Sequence, residues 1–374
     1  MKNTSEKSAE IFLREALRLA QRGLGATSPN PTVGAILVKS RKIIGRGRTA
    51  PAGGPHAEIE ALRDAQKRKC DPRGAILYVT LEPCSTHGRT PPCTEAIIAA
   101  GIKRVVIGVT DPNPRHAGRA FKILRRAGIE VVHGILADEC ARLNEAFNHW
   151  IVHRTPLVTV KAAMTLDGKI ATASGESKWI TGEKARAYGM KLRQGSDAIL
   201  VGVNTILADN PSLTARPVQS HKLRRIVLDS LARTPLDSKI VSDELAHLTT
   251  VVVSKSAPPN RVQTLSQKVN VLVAPTKSQI DLRWLLKKLG AENVTSLLVE
   301  GGGEVNASFL LNGLAQRAAF FYAPKILGGR DAHKAVAGDG VKNLADAIQL
   351  HEIEWKKIGD DLLMTALVAR GKKK

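Results

Sequence analysis

Apolar residues in the first part of the chain fall in short blocks whose spacing switches between helical and extended periods. Residues 8–21 place Ile11, Leu13, Ala16, Leu17 and Ala20 on one helical face, and Gly23 and Gly25 stop the run. Residues 33–38 are a continuous apolar block of strand length. The pattern then predicts a helix over 56–66, a strand over 75–80, a helix over 93–100 ended by Gly101, and a strand over 104–109. A helix over 118–127, a strand over 129–132 and a single helix over 137–152 follow. Such alternation predicts a layered α/β domain. His153-Arg154-Thr155-Pro156 breaks the pattern, which places a boundary near 154 and predicts domains at 1–154 and 155–374. From Leu157 the alternation restarts. Strands are predicted over 157–162, 198–201, 225–228, 249–253, 269–273, 296–299 and 318–323, with a helix over 182–193. This is a second α/β domain, and the two halves show no internal repeat.

A length of 374 residues suits two domains, and 43% hydrophobic content suits two compact cores. No apolar run is long enough to predict a membrane span, and residues 1–10 lack the pattern of a secretory signal. Four cysteines are too few for a disulfide scaffold, so a reducing, cytoplasmic setting is expected. Cys70 and Cys140 read as structural thiols. The net charge of +22 points either to nucleic acid or to phosphate-bearing ligands, or to a basic surface. With six Phe, four Trp and three Tyr, there are few platforms for stacking bases, so no nucleic-acid partner is expected.

The chemistry concentrates at His56-Ala57-Glu58, Pro83-Cys84 and Pro92-Cys93. One imidazole and two thiolates fill three of zinc's four tetrahedral positions and leave the fourth for water. Zinc lowers the pKa of such a water toward ~7. Glu58, two residues from the His, is placed to move protons without binding the metal. The layout His-x-Glu, Pro-Cys and a second Cys is that of the zinc nucleobase deaminases. The usual second half is Pro-Cys-x-x-Cys; here eight residues separate the thiols. His87, inside that insert, reads as a loop residue near the substrate rather than a fourth ligand. His116 reads as a loop residue near the pocket.

With that longer insert, with Thr27-Ser28-Pro29-Asn30-Pro31-Thr32-Val33-Gly34-Ala35 and with Gly54-Pro55-His56-Ala57-Glu58, the first half resembles the bifunctional deaminase/reductase family of riboflavin biosynthesis. The second half carries no Gly-x-Gly-x-x-Gly fingerprint. Leu297-Leu298-Val299-Glu300-Gly301-Gly302-Gly303-Glu304 reads as a strand, a glycine turn and a helix. Alone, that is a weak signal of a phosphate cradle and reads first as a tight connection between strand and helix. Together with Lys161-Ala162-Ala163-Met164-Thr165-Leu166-Asp167-Gly168-Lys169-Ile170-Ala171, Gly175-Glu176-Ser177-Lys178-Trp179-Ile180-Thr181 and Asp209-Asn210-Pro211-Ser212-Leu213-Thr214-Ala215-Arg216, it resembles the reductase half of the same family.

The resemblance implies a cytidine-deaminase-like three-layer α/β domain followed by a dihydrofolate-reductase-like domain. It implies two cofactors, Zn2+ and NADPH, a phosphorylated pyrimidine nucleotide as substrate, no membrane partner and a homo-oligomer. Asn30 would bind the base. NADPH would contact Ala163, Trp179, Thr205, Asp209, Ser230 and the turn Gly301, Gly302, Gly303, Glu304, Val305, Asn306 and Ala307. Ser177, Arg193, Leu213, Arg216 and Glu300 would contact the phosphorylated sugar, and Lys161 would orient or polarise its reacting carbon. Two other readings compete: an RNA-editing deaminase with an appended basic module, which the charge favours, and a deaminase whose second domain is only a dimerisation scaffold.

Overall fold

The computed structural model describes residues 4–87, 91–215 and 223–369, with side chains from Lys7 onward. Arg216, expected at the substrate site, lies outside these residues, as do Gly88, Arg89 and Thr90 of the loop between the two thiols. The chain divides into two compact units, Met1–Arg154 and Thr155–Lys374.

The first unit runs α1 (Thr4–Gln21), β1 (Gly34–Lys39), β2 (Lys42–Arg48), α2 (Ala57–Lys67), β3 (Ile76–Leu81), α3 (Cys93–Ala99), β4 (Arg104–Val109), α4 (Arg119–Arg126), β5 (Glu130–His133), α5 (Ala137–Leu143) and α6 (Glu145–His153). Its five strands lie in the order β2-β1-β3-β4-β5. β1 is antiparallel to both neighbours, and β3, β4 and β5 are parallel. Successive side chains of β1 point to opposite faces and both are buried, which is why the strand reads as an unbroken apolar run. Ile36 and Val38 pack under α1 with Leu13, Ala16 and Leu17. Ala35 and Leu37 pack on the other face with Ala57, Ala61 and Ala65 of α2 and Ile97 of α3. Helices on both faces of one sheet make three layers.

Two local readings of the sequence need correction. β2 is not predicted, because Gly45, Arg46, Gly47 and Arg48 carry little strand signal. It forms because Ser40 and Arg41, with φ of 50° and 60°, make a two-residue hairpin turn after β1. A Cβ at Gly47 would collide with the Ala57 carbonyl, so glycine here lets the start of α2 lie directly on β2. The single helix predicted over 137–152 is two, broken at Asn144. The Asn144 side chain accepts from the Thr32 amide at 2.7 Å and donates to the Thr32 carbonyl at 3.0 Å. A side chain committed to a distant backbone in this way holds its own backbone off the helical path.

The second unit runs β6 (Leu157–Thr165), β7 (Lys169–Ala171), α7 (Glu183–Gln194), β8 (Ala198–Gly202), α8 (Val203–Asp209), β9 (Arg224–Leu228), α9 (Lys239–Ser242), β10 (Thr249–Val253), α10 (Pro259–Ser266) and β11 (Asn270–Val273). It continues with α11 (Leu282–Ala291), β12 (Ser296–Val299), α12 (Gly303–Leu311), β13 (Arg317–Ala323), β14 (His333–Lys334), β15 (Leu350–Ile358) and β16 (Asp361–Val368). Nine strands form one sheet in the order β11-β10-β9-β8-β12-β6-β13-β16-β15. The first seven are parallel, and β16 and β15 add antiparallel at the edge. β8, β12 and β6 lie side by side at the centre, with Leu298 paired to both Ile199 and Thr159. Their carboxyl ends deliver Gly202, Glu300 and the glycine turn to one edge, the place where parallel sheets bind ligands. The β15–β16 hairpin is the main element the sequence reading omits. β15 alternates charge with apolar residues and is exposed over nearly its whole length, so it carries no core signal.

Candidate active sites

The first site forms where α2, α3 and the segment after β3 meet. His56 is the residue just before α2, Cys93 opens α3, and Cys84 follows β3. His56 Nδ1 lies 3.4 Å from Cys84 Sγ and 3.3 Å from Cys93 Sγ, and the three donor atoms lie within 4.8 Å of one another. Tetrahedral zinc with its usual bond lengths would set the N···S distances at about 3.6 Å. Both the donor set and its spacing therefore fit a zinc ion. The Cys93 amide donates to Cys84 Sγ at 3.2 Å, a helix-start N–H supporting a thiolate. Hydrogen bonding from the Cys93 side chain helps lower the Cys84 pKa to about 4, and the same interaction together with burial pushes Cys93 up. Two thiols this close do not both ionise without a cation between them, which is a second sign of a metal position.

Glu58 sits on the first turn of α2 and is 4% exposed. Burial, then the nearby Cys84 charge, raises its carboxyl to about 7. It lines a cavity of about 250 Å3 with His56, Cys84, Asn30, Asp111, Asn113, His116 and Trp150. Asn30 thus lines the same pocket as His56 and Cys84. His87 is exposed and stands outside the donor triad. Sequence reasoning missed Glu82, which is 3% exposed and accepts from the amides of Asp111, Gly118 and Ala120 at 3.1, 2.9 and 3.0 Å. It ties down the loop that brings Asp111, Asn113 and His116 to the pocket. Its place two residues before Cys84 was the available signal.

The second site is in the other unit. Glu300 follows β12, Lys161 lies in β6 and Arg193 near the end of α7. Arg193 donates Nε to Oε1 of Glu300 at 2.8 Å and Nη2 to Oε2 at 2.9 Å, while Lys161 Nζ stands 3.5 Å from Oε2. The three side chains are 16, 11 and 18% exposed for Arg193, Glu300 and Lys161. This is not a solvated surface pair. Burial would raise the Glu300 carboxyl, but the charges of Lys161 and Arg193 and their hydrogen bonds outweigh it and hold it at about 2. Arg193 Nη1 also donates to the Thr214 carbonyl at 3.1 Å, which links this cluster to the segment preceding Arg216.

Beside the cluster is a cleft of about 470 Å3 lined by Thr205, Ser230, Gly302, Gly303, Glu304 and Val305, together with Asn204, Arg233, His333 and Lys334. A Cβ at Gly303 would strike the Lys334 carbonyl, whereas one at Gly302 would meet nothing within 4 Å. The backbone at Gly302 is therefore open to a ligand, and the adjacent helix start suits phosphate. Other expected contacts are elsewhere. Asn306 and Ala307 are buried below the turn, Asn306 donating to the Ala335 carbonyl at 2.8 Å. Leu213 is 2% exposed in the core and does not line the cleft. Ser177 Oγ and Lys178 Nζ both reach Asp209 Oδ1 at 3.4 Å. Ala163 is packed beside Tyr188, and Trp179 is exposed with Arg186 over its ring at 4.6 Å. Neither lines the cleft.

Residues 6–109 match the cytidine and deoxycytidylate deaminase zinc-binding region, and residues 156–364 match the RibD C-terminal domain. The riboflavin biosynthesis protein RibD of Actinobacillus pleuropneumoniae is 44% identical over 96% of this chain and 94% of its own length. The chain belongs to the RibD family. Two solved structures agree. RibD of Acinetobacter baumannii has a TM-score of 0.86 at 35% identity, covering 98% of this chain and 100% of its own. A Thermotoga maritima diaminohydroxyphosphoribosylaminopyrimidine deaminase/5-amino-6-(5-phosphoribosylamino)uracil reductase has a TM-score of 0.84 at 35% identity, with the same coverages.

The protein is therefore a bifunctional deaminase and reductase of riboflavin biosynthesis, with a cytidine-deaminase-like half and a dihydrofolate-reductase-like half, and its cofactors are zinc and NADPH. The match of residues 156–364 to the RibD C-terminal domain does not favour the RNA-editing alternative, nor a second half that is only a scaffold. Among the described residues no helix is long and apolar enough to cross a membrane.

Proposed function

We propose that the first unit deaminates 2,5-diamino-6-(5-phosphoribosylamino)pyrimidin-4-one and that the second unit reduces the ribosyl group of the product, giving 5-amino-6-(5-phosphoribitylamino)uracil. The observation that carries this reading is the presence in one chain of two separate built sites: a His-Cys-Cys donor triad with a buried carboxylate, and a buried Lys-Glu-Arg cluster beside an open glycine cleft. The activities named for the Thermotoga maritima relative support the order of the two steps.

His56, Cys84 and Cys93 would hold zinc, which when bound activates water for attack on the amine-bearing ring carbon. Glu58 takes a proton from that water and returns protons to the ring nitrogen and the leaving ammonia. Asn30 holds the base in the same pocket. In the second unit Thr205, Ser230 and the turn Gly302–Val305 would bind NADPH, which supplies hydride for the sugar C1. Glu300, kept anionic by its two cations, accepts from sugar hydroxyls. Lys161 stabilises negative charge growing on the sugar oxygen as the ring opens. Ser177, Arg193, Leu213 and Arg216 complete the substrate side. Ala163, Trp179, Asp209, Gly301, Asn306 and Ala307, which do not line the cleft, are the remaining expected NADPH contacts.

The test is an assay of the purified protein on the diaminopyrimidine nucleotide with and without NADPH. Ammonia release without NADPH, followed by NADPH oxidation when it is added, supports the scheme. NADPH oxidation that does not depend on prior deamination counts against the order. We also infer a cytoplasmic homo-oligomer. Four unpaired cysteines support the compartment, and the exposed edge strand β15 with Ile353 and Trp355 supports self-association. Light scattering of the purified protein tests the latter.

A further inference from the structure

We propose that Arg233 is the residue by which the second unit selects NADPH over NADH, through the 2′-phosphate of the adenosine ribose. The inference rests on the reading of the glycine cleft as the dinucleotide site. The cleft spans the carboxyl ends of three neighbouring strands, β9, β8 and β12. On the β12 side stands the Gly302–Glu304 turn, where a pyrophosphate would meet open backbone. His333 and Lys334 are on that same wall, because the Lys334 carbonyl is packed against Gly303. The opposite wall, two strand spacings or roughly 10 Å away, is formed by Ser230, Leu231 and Arg233 after β9. A dinucleotide whose pyrophosphate lies at the turn has its adenosine ribose toward this wall.

The wall is built for a phosphate and not for a free hydroxyl pair. In Rossmann-type nicotinamide sites an acidic residue takes the ribose 2′-hydroxyl and an arginine the 2′-phosphate; this domain has another fold, but the same chemistry applies to any wall that faces the ribose. Here the acid is Asp229, and it is turned inward. It is 0% exposed, and its Oδ2 accepts from the Thr234 amide and hydroxyl, both at 2.7 Å. Its Oδ1 has no hydrogen-bond partner and lies 4.0 Å from Arg233 Nε. The Arg233 Nη2 donates to Asn204 Oδ1 at 3.0 Å, and both residues line the cleft. Asp229 and Asn204 thus steady a guanidinium that is half exposed and lines the cleft. Leu231, exposed beside it, offers an apolar surface to the adenine. A planar guanidinium pairs well with a phosphate and gains nothing comparable from a hydroxyl.

The experiment measures equilibrium binding of NADPH and NADH to the full-length protein, with adenosine 2′,5′-bisphosphate and AMP as competing probes. Arg233→Ala should weaken NADPH and the bisphosphate by roughly tenfold to a hundredfold and leave NADH and AMP within about twofold. Arg233→Lys should fall between the two. Arg233→Gln, which keeps the polar reach to Asn204, serves if the alanine variant does not fold, and should lose the same preference. Equal weakening of NADPH and NADH would show that Arg233 only supports the fold, and an unchanged preference for NADPH would place the selecting group elsewhere; either overturns the proposal. If the unaltered protein binds neither dinucleotide, the cofactor reading of the cleft fails and this inference fails with it.

Discussion

Arg193 grips Glu300 through two parallel bonds, Nε to Oε1 at 2.8 Å and Nη2 to Oε2 at 2.9 Å, in a setting where neither side chain is more than 16% exposed. With Lys161 at 3.5 Å, the carboxylate has two cations and the cluster carries one net positive charge. Such a buried arrangement is costly to desolvate and stabilises only while every member is present. Its excess of positive charge suits binding of an anionic group better than stability.

That geometry gives a pH dependence. The Glu300 carboxyl is held at about 2, below the ~4.3 of an unfolded glutamate. A depressed folded value means the stabilisation is complete above the unfolded value and is lost as pH falls from about 4.5 toward 2. The second unit should therefore lose stability in that window. Glu300→Gln should be less stable at neutral pH and should show a flatter acid profile. Chemical denaturation of both proteins across this range checks it; an equally steep profile in the variant would assign the acid sensitivity to other groups.

Lys161→Ala and Glu300→Ala should each cut reductase turnover by roughly tenfold or more, with zinc content and ammonia release unchanged. NADPH oxidation with the deaminated substrate is the measurement. Wild-type rates in both variants would reduce the cluster to a structural role.

Much of this was legible in the sequence, for a physical reason. His56, Glu58 and Cys93 stand at helix starts and Cys84 just after a strand, so short local strings carry the site. The strands buried on both faces, such as β1 and β12, announce themselves as unbroken apolar runs. What was hidden depends on partners far along the chain. The break at Asn144 exists because of Thr32, 112 residues away, and the charge-exposed β15 is a strand only because β16 pairs with it. Arg193 was expected to meet substrate phosphate, and its bidentate bond to Glu300, 107 residues distant, could not be read from either local string. Arg233 was hidden among many basic residues until the fold placed it on a cleft wall.

Cys84→Ser and Cys93→Ser should each lose most bound zinc, because a hydroxyl is a far poorer zinc ligand than a thiolate. Metal analysis of the purified variants decides it, and full zinc occupancy in both would remove the ligand assignment.

Buried Arg225 supports a different prediction. It is 1% exposed, and its guanidinium meets both carboxylate oxygens of Asp243 at 2.7 and 2.8 Å and donates to the Ser212 carbonyl at 3.1 Å. Asp243→Ala leaves that charge buried without its counter-ion and should destabilise by about 3–5 kcal/mol. Urea denaturation measures this, and a loss below about 1 kcal/mol would mean that the carbonyls and Thr249 satisfy Arg225 alone.

Glu58→Gln separates the two activities most cleanly. The residue is 4% exposed, on the first turn of the helix that follows His56, and lines the same pocket as His56 and Cys84. It is outside the donor triad, so the amide should leave zinc bound. An amide cannot accept and return a proton as the carboxylate does, and deamination should fall on the order of a hundredfold or more. Reduction of the already deaminated nucleotide should be almost untouched, because Lys161, Arg193 and Glu300 belong to the other unit. Three readouts on one preparation decide it: zinc content, ammonia release and NADPH oxidation. Normal ammonia release would take the proton-transfer role from Glu58. Loss of zinc would instead show that its carboxylate supports the metal position.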